Sequence, residues 1–85
     1  MPYHEHVMKA RIRVSLKPTV LDAQGAVVRQ ALQSLGYENV ADVRMGKYIE
    51  VELADTADVD RQVREMCERL LTNPIIENYE YEVSA

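Results

Sequence analysis

From Lys9 to Lys17 polar and apolar residues alternate without a break. Ala10, Ile12, Val14 and Leu16 fall on one side, and Lys9, Arg11, Arg13, Ser15 and Lys17 on the other. A side-chain period of two belongs to an extended strand, and strict alternation means that one face is buried while the other is wet. A chain built around such a strand must supply a layer to cover the apolar face and further strands to satisfy both edges. Pro18 ends the run, because proline lacks the N–H that a continuing ladder requires. Asp22 is then placed to cap a helix whose apolar stripe is Val28, Ala31, Leu32 and Leu35, and Gly36 stands where a left-handed C-terminal cap belongs.

Val40 to Met45 reads as a short strand and Tyr48 to Leu53 as a clearer one, with Gly46 at a hairpin turn between them. A second helix is expected to begin near Thr56 or Asp58, with Val59, Val63, Met66 and Leu70 on its buried face. Asp60 with Arg64 and Glu65 with Arg69 are spaced to pair along its exposed side. Asn73 and Pro74 stop it, and Ile75 to Val83 forms the last strand, with Tyr79, Tyr81 and Val83 on one face. The order is βαββαβ, and every strand is half polar. The fold class expected is therefore α+β: a two-layer sandwich in which two helices cover one face of a four-stranded antiparallel sheet, a ferredoxin-like variant. In that arrangement the first strand is central. Its outward Arg11 and Arg13 then lie between Glu50 and Glu52 on one neighbour and Glu80 and Glu82 on the other.

Eighty-five residues make one domain with a thin core, since a chain this short buries only about 60–65% of its unfolded surface. Phe and Trp are absent, so the core is aliphatic with tyrosines at its margin, and a single cysteine, Cys67, excludes an internal disulfide framework. A partner chain is the stabiliser that remains. The net charge of −4 opposes nucleic-acid binding, and no apolar run approaches the roughly 20 residues of a spanning helix, which points to a cytoplasmic protein.

Chain connections alternate between the two ends of a sheet, so the first, third and fifth share an end. That end collects Asp22, Gln24 and Gly25, then Arg44, Gly46 and Lys47, then Asn73 and Pro74. Gly25 with Arg44 and Lys47 could form an anion site at a helix N-terminus, but Asp22 brings negative charge to the same place and phosphate-loop patterns are absent. A partner-contact surface fits these eight residues better. Cys67 as a nucleophile would need a histidine base, and the only histidines, His4 and His6, stand near the N-terminus; a small buried hydrophobe is the simpler role. His4 and His6 find no further ligands for a metal, so neither a catalytic set nor a metal site is expected. The charged ladder on the open sheet face is read as an association surface.

Three motifs carry a family resemblance: Val20-Leu21-Asp22-x-Gln24-Gly25, Asp42-Val43-Arg44-x-Gly46-Lys47, and Cys67-Glu68-x-Leu70-Leu71-x-Asn73-Pro74-x-Ile76-Glu77-x-Tyr79. In this order and spacing the chain resembles the PurS family of small subunits of phosphoribosylformylglycinamidine synthase. The resemblance runs from about Met8 to the C-terminus, leaving residues 1–7 as a flexible leader before a single domain over 8–85. It implies a subunit without catalytic activity of its own, within an ATP-dependent carbon–nitrogen ligase that takes its amido group from glutamine. It further implies homodimers or higher assemblies of this chain, partnership with a large synthetase subunit (PurL type) and a glutaminase subunit (PurQ type), and help in passing ammonia between them. ATP and Mg would be cofactors of the complex, and this chain would hold none.

Three other functions share the expected topology. An amino-acid-binding regulatory module would place a glycine-rich loop after the first strand, where Lys17-Pro18-Thr19 stands. An acylphosphatase-like hydrolase would need an arginine between Lys17 and Gln24, and there is none. An RNA-binding sheet would need aromatic platforms where Glu50 and Glu52 point outward.

Overall fold

The structure, a computed structural model, describes residues 7–54 and 57–85; the proposed leader up to His6, both histidines and Thr56 lie outside the described residues. Strand β1 (Met8–Leu16) is followed by helix α1 (Ala23–Ser34), strand β2 (Gly46–Leu53), helix α2 (Val59–Met66), a π-helical run (Cys67–Leu71) and strand β3 (Glu77–Ser84). The sheet order is β2-β1-β3, with β1 central and antiparallel to both neighbours. Alternation along β1 is realised fully: Ala10, Ile12 and Val14 are buried. On the opposite face Arg11 stands between Glu50 and Glu82, and Arg13 between Tyr48 and Glu80. Arg13 pairs with Glu80 and Glu82 at 3.8 and 3.2 Å, and Lys9 with Glu50 at 3.5 Å. These pairs are exposed and add little energy each, but a one-residue slip would put every charge into the core, so together they hold the register.

Among the described residues the sheet has three strands, not the expected four, and so is not a ferredoxin-like sheet. Residues 40–45 keep the place of the second strand in the chain without pairing. Their backbone groups are taken by other partners: Gln33 Nε2 donates to the Val40 carbonyl at 3.0 Å, Arg29 Nη1 to that of Ala41 at 3.4 Å, and the Met45 amide donates to Asp22 Oδ2 at 2.6 Å. A segment whose donors and acceptors are satisfied by a helix's side chains has no ladder to offer a neighbour. Gly46 is likewise not a hairpin turn. It opens β2 opposite Ser15, where a Cβ would stand 2.6 Å from the Val14 carbonyl oxygen, so a close backbone approach explains the glycine.

One helix covers the sheet. The core comprises Ala10, Ile12, Val14, Leu53, Val59, Val63 and Cys67, flanked by Ile49, Val51, Met66, Leu71, Tyr79, Tyr81 and others. No residue of α1 belongs to it, and Gly25 is the helix's buried residue. The expected packing of both helices on one sheet face therefore gives way to an arm, α1 with the 37–45 segment running back along it. The molecule is accordingly elongated, 49 × 32 × 17 Å with a radius of gyration of 17.1 Å; a compact chain of this length would give about 12 Å. The helix ends as its glycine predicts. Gly36 has φ +105°, its amide donates to the Gln33 carbonyl, and the Tyr37 amide donates to that of Leu32, the paired bonds of a Schellman cap.

Along α2 the i, i+4 pairs are Asp60 with Arg64, as spaced, and Arg61 with Glu65 at 3.0 Å in place of Glu65 with Arg69. Asp58 occupies the N-cap position in left-handed geometry and makes no capping bond with its side chain. The π-helical run changes the helix phase. Its wider turn, closed by the Thr72 amide on the Cys67 carbonyl, carries Cys67 and Leu71 inward and leaves Leu70, expected on the buried face, 82% exposed. Tyr81 then ties β3 to α2 through Asp60 Oδ1 at 2.6 Å, and Tyr79 bonds Glu68 in the π-helical run at 3.0 Å.

Candidate functional site

Ser15 pairs with Gly46 and Leu16 with Glu77, so the end of β1 and the starts of β2 and β3 meet at one end of the sheet. The three motif loops are therefore neighbours, as connection parity requires. They are also tied together. Arg44 Nη2 donates to the carbonyls of Lys17 at 3.1 Å and Val20 at 2.9 Å. Lys47 reaches the other way, to the Leu71 carbonyl at 3.5 Å and Glu77 Oε2 at 3.8 Å. The segment joining them thus straps the first loop to the third, and both cations serve the fold even though neither lies in the core.

At the centre of the first loop is a clamp. Asp22 is buried, and its two carboxylate oxygens accept from two amides: Oδ1 from Gly25 at 2.8 Å, capping α1, and Oδ2 from Met45 at 2.6 Å, holding the returning segment. Gly25 is required beside it, because a Cβ there would lie 2.1 Å from the Val43 carbonyl oxygen. The arm is thus hinged to the sheet through Asp22 and Gly25. The Met45 amide first, and then that of Gly25, holds the Asp22 carboxyl below its ordinary value of 3.8, against the opposing effect of burial and with Arg44 adding a favourable charge.

A carboxylate whose folded pKa is depressed stabilises the fold above its unfolded value and loses that contribution as pH falls through the folded one. Asp22→Asn replaces one acceptor by an NH2 group facing an amide donor. The variant should therefore melt lower than the parent at neutral pH, with the gap closing progressively below about pH 4 as the parent's own carboxyl is protonated. Glu50, held low by the Tyr48 hydroxyl and Lys9, titrates alike in both proteins and cancels. Melting curves across this range check the expectation; a gap independent of pH would mean that the carboxylate's charge is immaterial.

The remaining residues of the eight are placed as follows. Gln24 is exposed and borders a shallow, mostly apolar groove with Val27, Val28 and Met45. Asn73 organises the third loop: its Oδ1 accepts from the Ile75 amide at 3.1 Å, its carbonyl from that of Glu77 at 2.8 Å, and its own amide donates to Glu77 Oε1 at 2.7 Å. Pro74 is exposed. The structure thus brings all eight to one end, but turns Asp22 and Gly25 inward and commits Arg44, Lys47 and Asn73 to internal ties. The outward surface is apolar and was not foreseen: Leu21 is 86% exposed, Leu70 82% and Ile75 81%. Leu21 lies outside any periodic segment, so hydrophobic spacing could not assign it a face, and Ile75, expected to open the last strand, falls before β3, which begins at Glu77. Along α1, Val27 (66%) and Leu35 (75%) continue the uncovered apolar surface.

Catalytic chemistry finds little here. Burial, and then the nearby Glu68, pushes the Cys67 thiol above its ordinary value, the direction opposite to thiolate activation, and the residue is wholly buried. Among the described residues no group of three His, Cys, Asp or Glu side chains could hold a metal ion, and no helix is long and apolar enough to cross a membrane.

Residues 9–85 match the family model for PurS, phosphoribosylformylglycinamidine (FGAM) synthase. The phosphoribosylformylglycinamidine synthase subunit PurS of Bacillus subtilis is 51% identical over 88% of this chain and 90% of its own, and that of Synechocystis 46% identical over 99% and 86%. Among solved structures, Bacillus subtilis PurS superposes with a TM-score of 0.85 at 49% identity, covering 92% of this chain and 99% of that one. A chain from the PurLQS structure of Thermotoga maritima superposes at 0.79 with 29% identity, covering 99% and 100%.

Proposed function

The chain belongs to the PurS family, subunits of the ligase phosphoribosylformylglycinamidine synthase in purine biosynthesis, and from that premise we propose that it acts there as a non-catalytic bridge. It dimerises through the α1 arm and joins a glutaminase subunit of the PurQ type to a large synthetase subunit of the PurL type, assisting the passage of ammonia between them. ATP and Mg serve the complex and not this chain, and the assembly works in the cytoplasm. One observation carries the reading: along α1 the apolar side chains of Val27 and Leu35 stay exposed, and none of its residues joins the core. A helix of 12 residues is marginal in water without tertiary packing, so the arm is built to be completed by another chain.

Within this function the outward apolar residues Leu21, Leu70 and Ile75 are the contact points at the motif end, together with Gln24 and Pro74. Asp22, Gly25, Arg44, Gly46, Lys47 and Asn73 hold the loops that present them. The test is reconstitution. The purified chain alone should show no turnover, and mixing it with the two other subunits should restore glutamine-dependent synthesis. Supplying free ammonium in place of glutamine should reduce the dependence on this chain, since the transfer step is then bypassed. Full glutamine-dependent activity without the chain would overturn the proposal.

A further inference from the structure

Helix α2 covers the sheet unevenly. Val59, Val63 and Cys67 seal the central strand, where Ala10 and Ile12 are fully buried. On the β3 side the cover is extended by that strand's own hydroxyls: Tyr81 donates to Asp60 at 2.6 Å and Tyr79 to Glu68 at 3.0 Å. Asp60 and Glu68 thus mark the β3 side of the helix, and the opposite flank, carrying Gln62 and Met66, overlooks β2. There the cover stops short. Ile49 and Val51 point to the core side of the sheet yet are only half-buried, as is Met66. Met66 and Gln62 border a shallow hollow of about 200 Å3 along this flank. Among the described residues β2 is also an edge of the sheet, so no further strand closes the strip.

The same chain carries a helix without a sheet. Val27, Ala31 and Leu35 follow at intervals of four along α1 and its C-cap, and all three are exposed. Arg29 is the one charged residue among the twelve of α1, and its guanidinium is turned to the Ala41 carbonyl of its own arm. A helix made for water carries charge on its outer face, whereas depletion of charge marks a surface that another chain covers. Asp22 and Gly25 fix the start of α1 against residues 43–45, so within its own chain the helix stays in the arm and outside the core. We propose that α1 of a second copy lies along the inner flank of β2, beside α2, and that a two-fold axis makes the exchange mutual. Val27, Ala31 and Leu35 of each copy then rest on Ile49, Val51 and Met66 of the other. Each sheet gains a second covering helix, supplied in trans, and the assembly closes because both copies use their arm and their strip. This rests on the reading of the arm as a dimer surface and adds where the arm docks.

The experiment uses the unaltered full chain. Equal amounts of carbon-13-labelled and unlabelled protein are mixed, and isotope-filtered NMR records only the methyl contacts that cross between copies. The expected result is a set of cross-peaks joining the methyls of Val27 and Leu35 to those of Ile49 and Val51. Dilution through the dissociation range should shift the Ile49 and Val51 methyls more than that of Val83, which lies on the β3 side of the sheet. Light scattering on the same samples separates the two ways of failing. A dimer whose intermolecular contacts join α1 to α1, or leave Ile49 and Val51 untouched, overturns this docking site and leaves dimerisation standing. A monomer at every concentration removes both.

Discussion

Replacing Gly25 by alanine should destabilise the protein by about 1–3 kcal/mol or more, although alanine is the better helix former. The added methyl would stand 2.1 Å from the Val43 carbonyl oxygen and within 3 Å of the Asp22 carboxylate. The first of these is backbone and cannot rotate away. Relief requires α1 to lift from the 43–45 segment, which also pulls the Met45 amide from Asp22, so one methyl opens the whole hinge. Gly36 provides the contrast. Nothing lies within 4 Å of a Cβ there, but φ is +105°, so Gly36→Ala should cost only the backbone strain, about 1 kcal/mol. Urea denaturation of the two variants side by side separates a clash from a strained dihedral. Equal losses would show that the contact at Gly25 relaxes freely.

The comparison of Gly25 with Gly36 also shows what the sequence could convey. Gly36 was legible because it follows a periodic stripe, and its left-handed cap is a local property. Asp22 was legible as a cap for the same reason. Its second bond, to Met45, joins residues 23 apart, and no local pattern carries that information. The same long-range bond explains the missing strand: 40–45 has acceptable strand composition, but its hydrogen bonds are claimed by Arg29, Gln33 and Asp22. Leu70 failed differently. Extrapolating α-helical phase beyond Met66 assumes 3.6 residues per turn, and the π-helical run breaks that assumption by one residue. The i, i+4 series Val59, Val63, Cys67, Leu71 was present in the sequence and described the buried face better. Placement of the three motif loops, by contrast, needed only chain parity, and it held without the fourth strand because β1, β2 and β3 still alternate in direction.

Placing aspartate at both Val27 and Leu35 should leave the isolated chain folded and abolish its assembly. Both side chains are exposed on α1, at positions eight apart that fall within one stripe, and neither touches the core, so the chain's own stability has little to lose. If the stripe is covered by a second copy, each apolar side chain withdrawn from the interface forfeits about 1.5 kcal/mol or more. Two on each of the two arms amount to about 6 kcal/mol or more, at least about ten-thousandfold in affinity, before the cost of burying carboxylates is counted. Light scattering should then report a monomer where the parent is expected to be a dimer, and glutamine-dependent synthesis in the reconstituted complex should fall with it. Circular dichroism guards against the trivial outcome, since α2 and the sheet do not depend on these residues. A folded variant that still dimerises and still supports synthesis would place the covering surface elsewhere. The next candidates would then be Leu21, Leu70 and Ile75, because the apolar surface left open at the motif end is another part of this thin-cored chain that its own residues do not bury.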